Sequence, residues 1–70
     1  MPEMISTPES SNVESIGYDE SNEEVWVSFR ASTYVYEGVP AHVWIDFRDS
    51  GSKGSFVHAT LIPGYVARRV

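Results

Sequence analysis

Cysteine is absent from this chain of 70 residues, so neither a disulfide nor a thiolate metal site can form. A chain of this length buries only roughly 60 % of the surface that its unfolded form exposes, and its stability is expected to be marginal. We therefore expect the chain to associate with a partner or with a second copy of itself. A reducing compartment such as the cytoplasm is the natural setting for a protein without cysteine.

Long apolar runs are missing as well. No stretch of 18 consecutive apolar residues occurs, and the N-terminal sequence MPEMISTPESSN lacks the basic flank and apolar core of a secretion signal. We expect a soluble cytoplasmic protein that is not inserted in a membrane. Residues 1–12 are rich in Pro, Ser, Thr and Glu, which predicts a flexible N-terminal tail, so the folded domain is placed at residues 13–70.

Basic residues are few, with five Lys and Arg against ten Asp and Glu and a formal net charge of −5. Residues 1–37 hold eight acidic residues and one arginine, whereas residues 38–70 hold two acidic and four basic residues. An acidic domain repels phosphate backbones at long range, so nucleic acid is the less expected partner and would have to bind the C-terminal third. Charge favours a basic protein or protein complex instead.

Three segments alternate apolar and polar side chains and are rich in β-branched and aromatic residues. They predict strands at residues 13–18, 25–30 and 33–37, joined as an antiparallel meander. A polar loop should pair Asp19 with Glu24, and a two-residue turn at residues 31–32 should pair Val27 with Tyr36. Both turn assignments put the apolar side chains on one face, namely Ile16, Tyr18, Val25, Val27, Phe29, Tyr34 and Tyr36.

The second half of the chain has helical spacing. Pro40 suits a first helical turn, and apolar residues of the segment 41–48 recur at helical intervals. Ser52 is a suitable cap for a second helix over about residues 53–62, which Pro63 and Gly64 should end. The predicted fold class is α+β, a three-stranded antiparallel β-meander followed by two short helices packed on one face, with residues 65–70 either ordered or frayed.

The order of four short motifs carries a family resemblance. IGYD at residues 16–19 is followed by YVY at 34–36, VP at 39–40 and SKG at 52–54. In this order and spacing the motifs resemble the KTSC domain, a short bacterial module found alone and at the C-terminus of some lysyl-tRNA synthetases. The resemblance runs from about residue 12 to residue 70 and supports the predicted fold.

The biochemical function of the family is unknown, and RNA binding is a suggestion for it. The chain departs from the family pattern at His58, where an Asn is often found, and at Ile62, where an Arg often stands. Small acidic proteins of this kind, KTSC-like ones among them, also resemble products of phages and other mobile elements. The first functional expectation is therefore a small non-catalytic acidic module that acts through protein-protein interaction, with an anti-CRISPR-type inhibitor of a host nucleic-acid-handling complex as a special case.

Two sets of residues are candidates for binding a protein partner. The acidic loop supplies Asp19, Glu20, Glu23 and Glu24, which would steer the chain toward a basic partner. Trp26 and Arg30 fall on the sheet face opposite the apolar one, and Trp and Arg are enriched among interface anchors. Two alternatives exist for Trp26. It could lie in a homodimer interface formed across that face, or it could be covered by the N-terminal tail of the same chain.

The alternative function is binding of RNA or a nucleotide at a basic corner in the C-terminal third. Backbone N–H groups at the start of the second helix, assisted by nearby cations, could hold an anion, although simple helix capping explains the same residues. The residues of this candidate site are Ser52, Lys53, Gly54, His58, Arg68 and Arg69. Tyr34 and Tyr36 could add a platform for base stacking, but core packing is their more ordinary role.

Catalysis and metal binding have little support in the sequence. His42 and Asp46 are four residues apart on the first helix, but zinc needs at least one more protein ligand, and none can be placed. Ser52, His58 and Asp49 are the one set that could resemble a catalytic triad, yet their spacing does not require them to converge. We expect no enzyme activity, no metal and no cofactor.

Overall fold

A computed structural model describes residues 1–70 as one antiparallel sheet with helices on one of its faces. The strands pair in chain order and are β1 (Met4–Ser6), β2 (Val13–Asp19), β3 (Glu24–Phe29), β4 (Thr33–Tyr36) and β5 (Ala67–Arg69). The helical segments lie between β4 and β5 and are α1 (Ala41–Asp49), α2 (Lys53–Phe56), a π-helical turn (Val57–Leu61) and α3 (Ile62–Gly64). The α+β class and the antiparallel sheet are confirmed, but the sheet has five strands rather than three.

The structure differs from the predicted flexible tail over residues 1–12, because this segment contains β1 and a loop that pairs with β2. Met4 pairs with Gly17 of β2, and a Cβ at Gly17 would lie 2.6 Å from the Met4 Sδ and 2.8 Å from the Glu3 carbonyl oxygen. After β1, Thr7 is buried, and its hydroxyl donates to the Val13 carbonyl at 2.7 Å. Backbone pairing and the absence of a side chain at residue 17 thus order a segment whose polar composition predicted disorder.

The C-terminal residues are also ordered, since β5 adds to the free edge of β4. The Glu37 N–H donates to the Val66 carbonyl at 2.8 Å, and the Val70 N–H donates to the Thr33 carbonyl at 2.9 Å. Of the two alternatives left open for residues 65–70, the structure shows the ordered one.

Strand register agrees with the sequence at one turn and differs at the other. Asp19 pairs with Glu24 as predicted. The connection from β3 to β4 is longer than the predicted two-residue turn, so Val27 pairs with Tyr34 and Tyr36 pairs with Val25. A shift of two residues keeps every side chain on its original face, and the predicted apolar face is therefore unchanged.

The helices cover this apolar face and close the core. Aromatic contacts join α1 to its neighbours: the Phe47 ring stacks on Phe56 at 5.1 Å between centroids. The core cluster consists of Val13, Ile16, Val25, Val27, Tyr36, Val39, Phe47, Val57 and Leu61. The opposite face of the sheet carries no helix.

The second helical stretch continues past the predicted stop at Pro63. Within the π turn, the Ile62 N–H donates to the Val57 carbonyl five residues earlier. Pro63 then falls in the first turn of α3, directly after the π turn, so its missing N–H leaves this continuous helical stretch without one backbone hydrogen bond. None of the helices combines the length and the hydropathy that a membrane-spanning helix requires.

Candidate functional site

The helix-free side of the sheet has Trp26 at its centre. Trp26 pairs with Gly17 on one side and Val35 on the other, and Val35 pairs in turn with Arg68. Val35 is completely buried although it lies outside the core cluster, because the large side chains of Trp26 and Arg68 flank it. We call this surface the Trp26 face and define it by Gly17, Glu24, Trp26, Ser28, Thr33, Val35 and Arg68.

Trp26 is half-buried, and its indole nitrogen has an unusual environment. Nε1 is the one buried side-chain nitrogen or oxygen in the protein without a hydrogen-bond partner. An unpaired buried donor costs about 1–3 kcal/mol, which offsets part of the stabilisation from burying the ring.

Arg30, the other predicted anchor, lies away from Trp26. It follows β3 and lines a shallow cleft with residues of the loop after β1, among them Thr7 and Pro8. This is the end of β3 opposite to Glu24. The structure therefore does not bring Trp26 and Arg30 together as one patch.

The four predicted acidic residues lie together at the turn between β2 and β3. Asn22 closes this turn by donating its backbone N–H to Asp19 Oδ1 at 3.2 Å and its side-chain amide to Oδ2 at 2.9 Å. These hydrogen bonds hold the pKa of Asp19 below its ordinary value. Glu23 adopts a positive φ of 54°, and its carbonyl accepts the Val39 N–H.

Two residues that the acidic prediction did not include, Glu37 and Arg68, complete this end of the sheet. Arg68 donates to Glu37 at 2.6 Å and to Glu24 at 3.1 Å. Glu20 and Glu23 make no ion pair. We call this surface the acidic end, and its five carboxylates and one guanidinium give a formal charge of −4, from Asp19, Glu20, Glu23, Glu24, Glu37 and Arg68.

Four of the six residues predicted to bind an anion line one polar cleft of about 530 Å³, namely Ser52, Lys53, Gly54 and His58. The loop after β1 forms its other wall, with Glu9 and Asn12 among the lining residues. Ser52 caps α2 by accepting the Ser55 N–H at 3.3 Å. The Lys53 ammonium donates to the Ser50 carbonyl at 2.6 Å, so part of its hydrogen-bonding capacity is used internally.

Arg68 and Arg69 do not extend this cleft, because both lie on β5, at the sheet edge opposite to β1. The cleft therefore contains one lysine and one glutamate rather than a cluster of cations. This arrangement weakens the electrostatic attraction for phosphate that the sequence suggested.

A second cleft, of about 390 Å³, opens on the helix side of the sheet near β5. We call it the aromatic cleft, and all six lining residues are apolar or aromatic: Phe29, Tyr34, Tyr36, Ile62, Tyr65 and Ala67. Tyr36 belongs to the core, whereas Tyr34 is half-buried and its ring meets Phe29 edge to face. The sequence analysis singled out both tyrosines but missed the cleft, which depends on β5 and α3.

The remaining candidate sets do not assemble into a reactive site. His42 and Asp46 are both exposed on α1, and nowhere do three or more His, Cys, Asp or Glu residues come close enough to hold a metal ion. Ser52 and His58 share the polar cleft, but Asp49 does not line it and instead accepts from Arg48 at 3.0 Å.

Comparisons with known proteins agree with this architecture. The family described as KTSC domain matches residues 9–65. The crystal structure of the KTSC domain protein YPO2434 from Yersinia pestis superimposes with a TM-score of 0.92 at 31% sequence identity, over 100% of this chain and 99% of that chain. No curated protein sequence matches the chain. With the sheet order, the motifs and the family match in agreement, this chain belongs to the KTSC domain family.

Proposed function

We propose that the protein is a non-catalytic binding module that docks a basic protein on its acidic end and on the adjoining Trp26 face. The observation that carries the proposal is the continuity of these two surfaces. Glu24 and Trp26 are two residues apart on the same face of β3, and Arg68 contacts Glu24 while flanking Val35. An apolar anchor and a charged rim therefore lie side by side.

This combination has the features of a protein-binding surface. Tryptophan contributes large contact area at low conformational cost and is enriched among residues that dominate binding energy. Glu20 and Glu23 are exposed and unpaired, so their charges remain available to speed the encounter with a basic surface. A second copy of the chain carries the same acidic end, and charge complementarity therefore favours a different, basic partner over a homodimer.

Proteins that bind nucleic acids expose basic surfaces, which an acidic protein can bind. Inhibition of a host nucleic-acid-handling complex in the cytoplasm, in the manner of an anti-CRISPR protein, is accordingly the special case that we propose. The acidic end would occupy the basic surface that normally receives the phosphate backbone, which matches the excess of carboxylates in the N-terminal half.

The experiment is affinity capture from host lysate followed by size-exclusion chromatography with light scattering and mass spectrometry. The test variant is Glu20→Lys with Glu23→Lys, and the matched control is Glu14→Lys with Asp46→Lys, which changes net charge equally at other exposed, unpaired sites. A partner that is retained by the control and lost by the test variant supports the proposal.

A third variant, Ser28→Arg, places a long cation on the Trp26 face without removing core side chains. Loss of the same partner assigns the sheet face to the interface. If the partner binds all three variants as well as the parent, the proposal is wrong. Circular dichroism should first show that each variant keeps the secondary structure of the parent.

The second candidate function is binding of RNA or a nucleotide in the polar cleft. The specific observation in its favour is that Ser52, Lys53, Gly54 and His58 line the same cleft. The single lysine and the neighbouring Glu9 make it the weaker candidate.

Fluorescence anisotropy with a labelled single-stranded RNA tests this second function. Binding that weakens steeply with salt and is lost in Lys53→Gln, but not in Arg48→Gln, would support it. Equal behaviour of the two variants, or the absence of saturable binding, would rule out the polar cleft as an RNA site.

A further inference from the structure

The aromatic cleft is built like a small ligand site. Its volume of about 390 Å³ lies within the range of roughly 300–1,000 Å³ that small-molecule pockets occupy. Tyr34 and Tyr36 form its sheet wall, Ile62 and Tyr65 come from the end of the helical stretch, and Ala67 comes from β5. Ala67 has the smallest side chain of the lining, which leaves the space open, and Ile62 is 52% exposed at the rim.

Among the tyrosine hydroxyls only that of Tyr18 makes a hydrogen bond with the protein, so those of Tyr34, Tyr36 and Tyr65 at this cleft are unpaired. Tyr36 is only 4% exposed, yet its hydroxyl makes no hydrogen bond with the protein. The Tyr36 hydroxyl oxygen is nevertheless accessible to solvent. Nε1 of Trp26 is the only side-chain nitrogen or oxygen that is both unpaired and inaccessible to solvent. The accessible part of Tyr36 therefore includes its oxygen, and Tyr36 is one of the residues that line the cleft.

A free cation stands beside the same cleft. Arg69 pairs with Tyr34 across β4 and β5, so the two side chains leave the same face of the sheet as close neighbours. Arg69 is exposed and takes part in none of the ion pairs of the protein, unlike Arg48 and Arg68. No carboxylate lines the cleft.

We propose that the aromatic cleft binds a small carboxylate with an aromatic body. The ring enters between Tyr34, Tyr36 and Tyr65, where aromatic faces and edges surround it. The carboxylate pairs with the guanidinium of Arg69 and accepts a hydrogen bond from the Tyr36 hydroxyl. Charge complementarity selects an anion over a neutral ligand of the same shape, because Arg69 is the unpaired charge at the rim.

This site is separate from the surface that we propose for the protein partner. The aromatic cleft lies on the helix side of the sheet, whereas the Trp26 face lies on the opposite side. Failure of one proposal therefore leaves the other untouched.

The test is a titration of the ¹⁵N-labelled protein with 3-phenylpropionate, followed by amide chemical shifts, with 3-phenylpropionamide as the neutral isostere. We expect saturable shifts at Tyr65 and Ala67 with a millimolar Kd for the carboxylate. The amide should bind about fivefold more weakly, as expected for loss of one exposed ion pair.

Three variants locate the ligand. Arg69→Gln should remove the preference for the carboxylate, whereas Arg48→Gln, which removes the same charge from α1, should keep it. Ala67→Phe should fill the cleft and abolish binding, while Ala41→Phe, at an exposed site on α1, should not. Tyr36→Phe should weaken both ligands.

The proposal is overturned if the parent protein shows no saturable shift up to the solubility limit of 3-phenylpropionate. Equal affinity for the carboxylate and the amide, or full binding by a folded Ala67→Phe variant, overturns it as well. Thermal unfolding of each variant establishes that it is folded before its titration is interpreted.

Discussion

The ring of Tyr18 lies parallel to the indole of Trp44, with the ring centroids 5.6 Å apart and the planes 7° from parallel. The Tyr18 hydroxyl also donates to the Val39 carbonyl at 2.7 Å. One side chain of β2 thus holds both α1 and the segment that leads into it. The helices are fixed to the sheet at this point as well as through the apolar core.

Replacement of Tyr18 by Phe should lower the free energy of unfolding by about 1 kcal/mol, because the partly buried end of the ring loses its hydrogen bond while the stacking remains. Urea denaturation measures the change. Tyr34→Phe is the matched control, since the Tyr34 hydroxyl makes no hydrogen bond, and it should leave stability nearly unchanged. Equal losses for the two variants would contradict the assigned role of the Tyr18 hydroxyl.

Replacement of Gly17 by Ala should detach β1 from the sheet. The new Cβ would meet the backbone oxygen of Glu3 and the sulfur of Met4, and overpacking of this kind costs about 1–3 kcal/mol. Hydrogen exchange should show loss of protection in residues 4–6 while the rest of the sheet remains protected. Gly51→Ala, which meets no atom within 4 Å, is the control. Unchanged protection of β1 in Gly17→Ala would be the opposing result.

Replacement of Trp26 by Phe should change the free energy of unfolding by no more than about 1 kcal/mol, because loss of ring area is offset by removal of the unpaired indole N–H. Val35→Ala, next to it, should cost about 2 kcal/mol through the loss of two buried methyl groups. Chemical denaturation compares the two variants. A larger loss for Trp26→Phe than for Val35→Ala would mean that the indole nitrogen has a stabilising partner.

Stability should fall at alkaline pH because burial raises the pKa of Tyr36 above the ordinary value of 10.0, with a smaller contribution from Tyr34. The unfolded chain ionises this hydroxyl first, so the folded state binds more protons and loses stability as pH rises from about 10 through the folded pKa. Below pH 10 the effect is absent. Urea denaturation at pH 8 to 11 should show a shallower decline for Tyr36→Phe than for the parent. Identical declines would contradict the assignment to Tyr36.

The parts of the fold that the sequence predicted are those with enough residues to show a period. The alternation of apolar and polar residues predicted β2, β3 and β4, and the helical spacing of apolar residues predicted α1. β1 and β5 each have three residues, which is too short for alternation to be recognised, and their pairing depends on contacts far along the chain. The π turn has no comparable sequence pattern, so the passage of the helix through Pro63 could not be anticipated.

The candidate surfaces, too, were predicted where they depend on residues close in sequence and missed where they depend on contacts between distant residues. The acidic turn was predicted because Asp19 and Glu24 flank a short loop. The position of Arg68 was not, since it requires β5, and this arginine lies with Glu24 and Glu37 instead of beside Lys53. The aromatic cleft was missed for the same reason.

The shortness of β1 and β5 has a consequence for how the protein meets other molecules. Both are edge strands, and each offers only three residues of backbone for pairing with an added chain. On β5 these residues include Arg68 and Arg69, and charged side chains on a short edge discourage sheets from joining side by side. Ribbon-like growth of the sheet is therefore disfavoured at both edges, and contacts with other molecules are directed to side chains on its faces and ends.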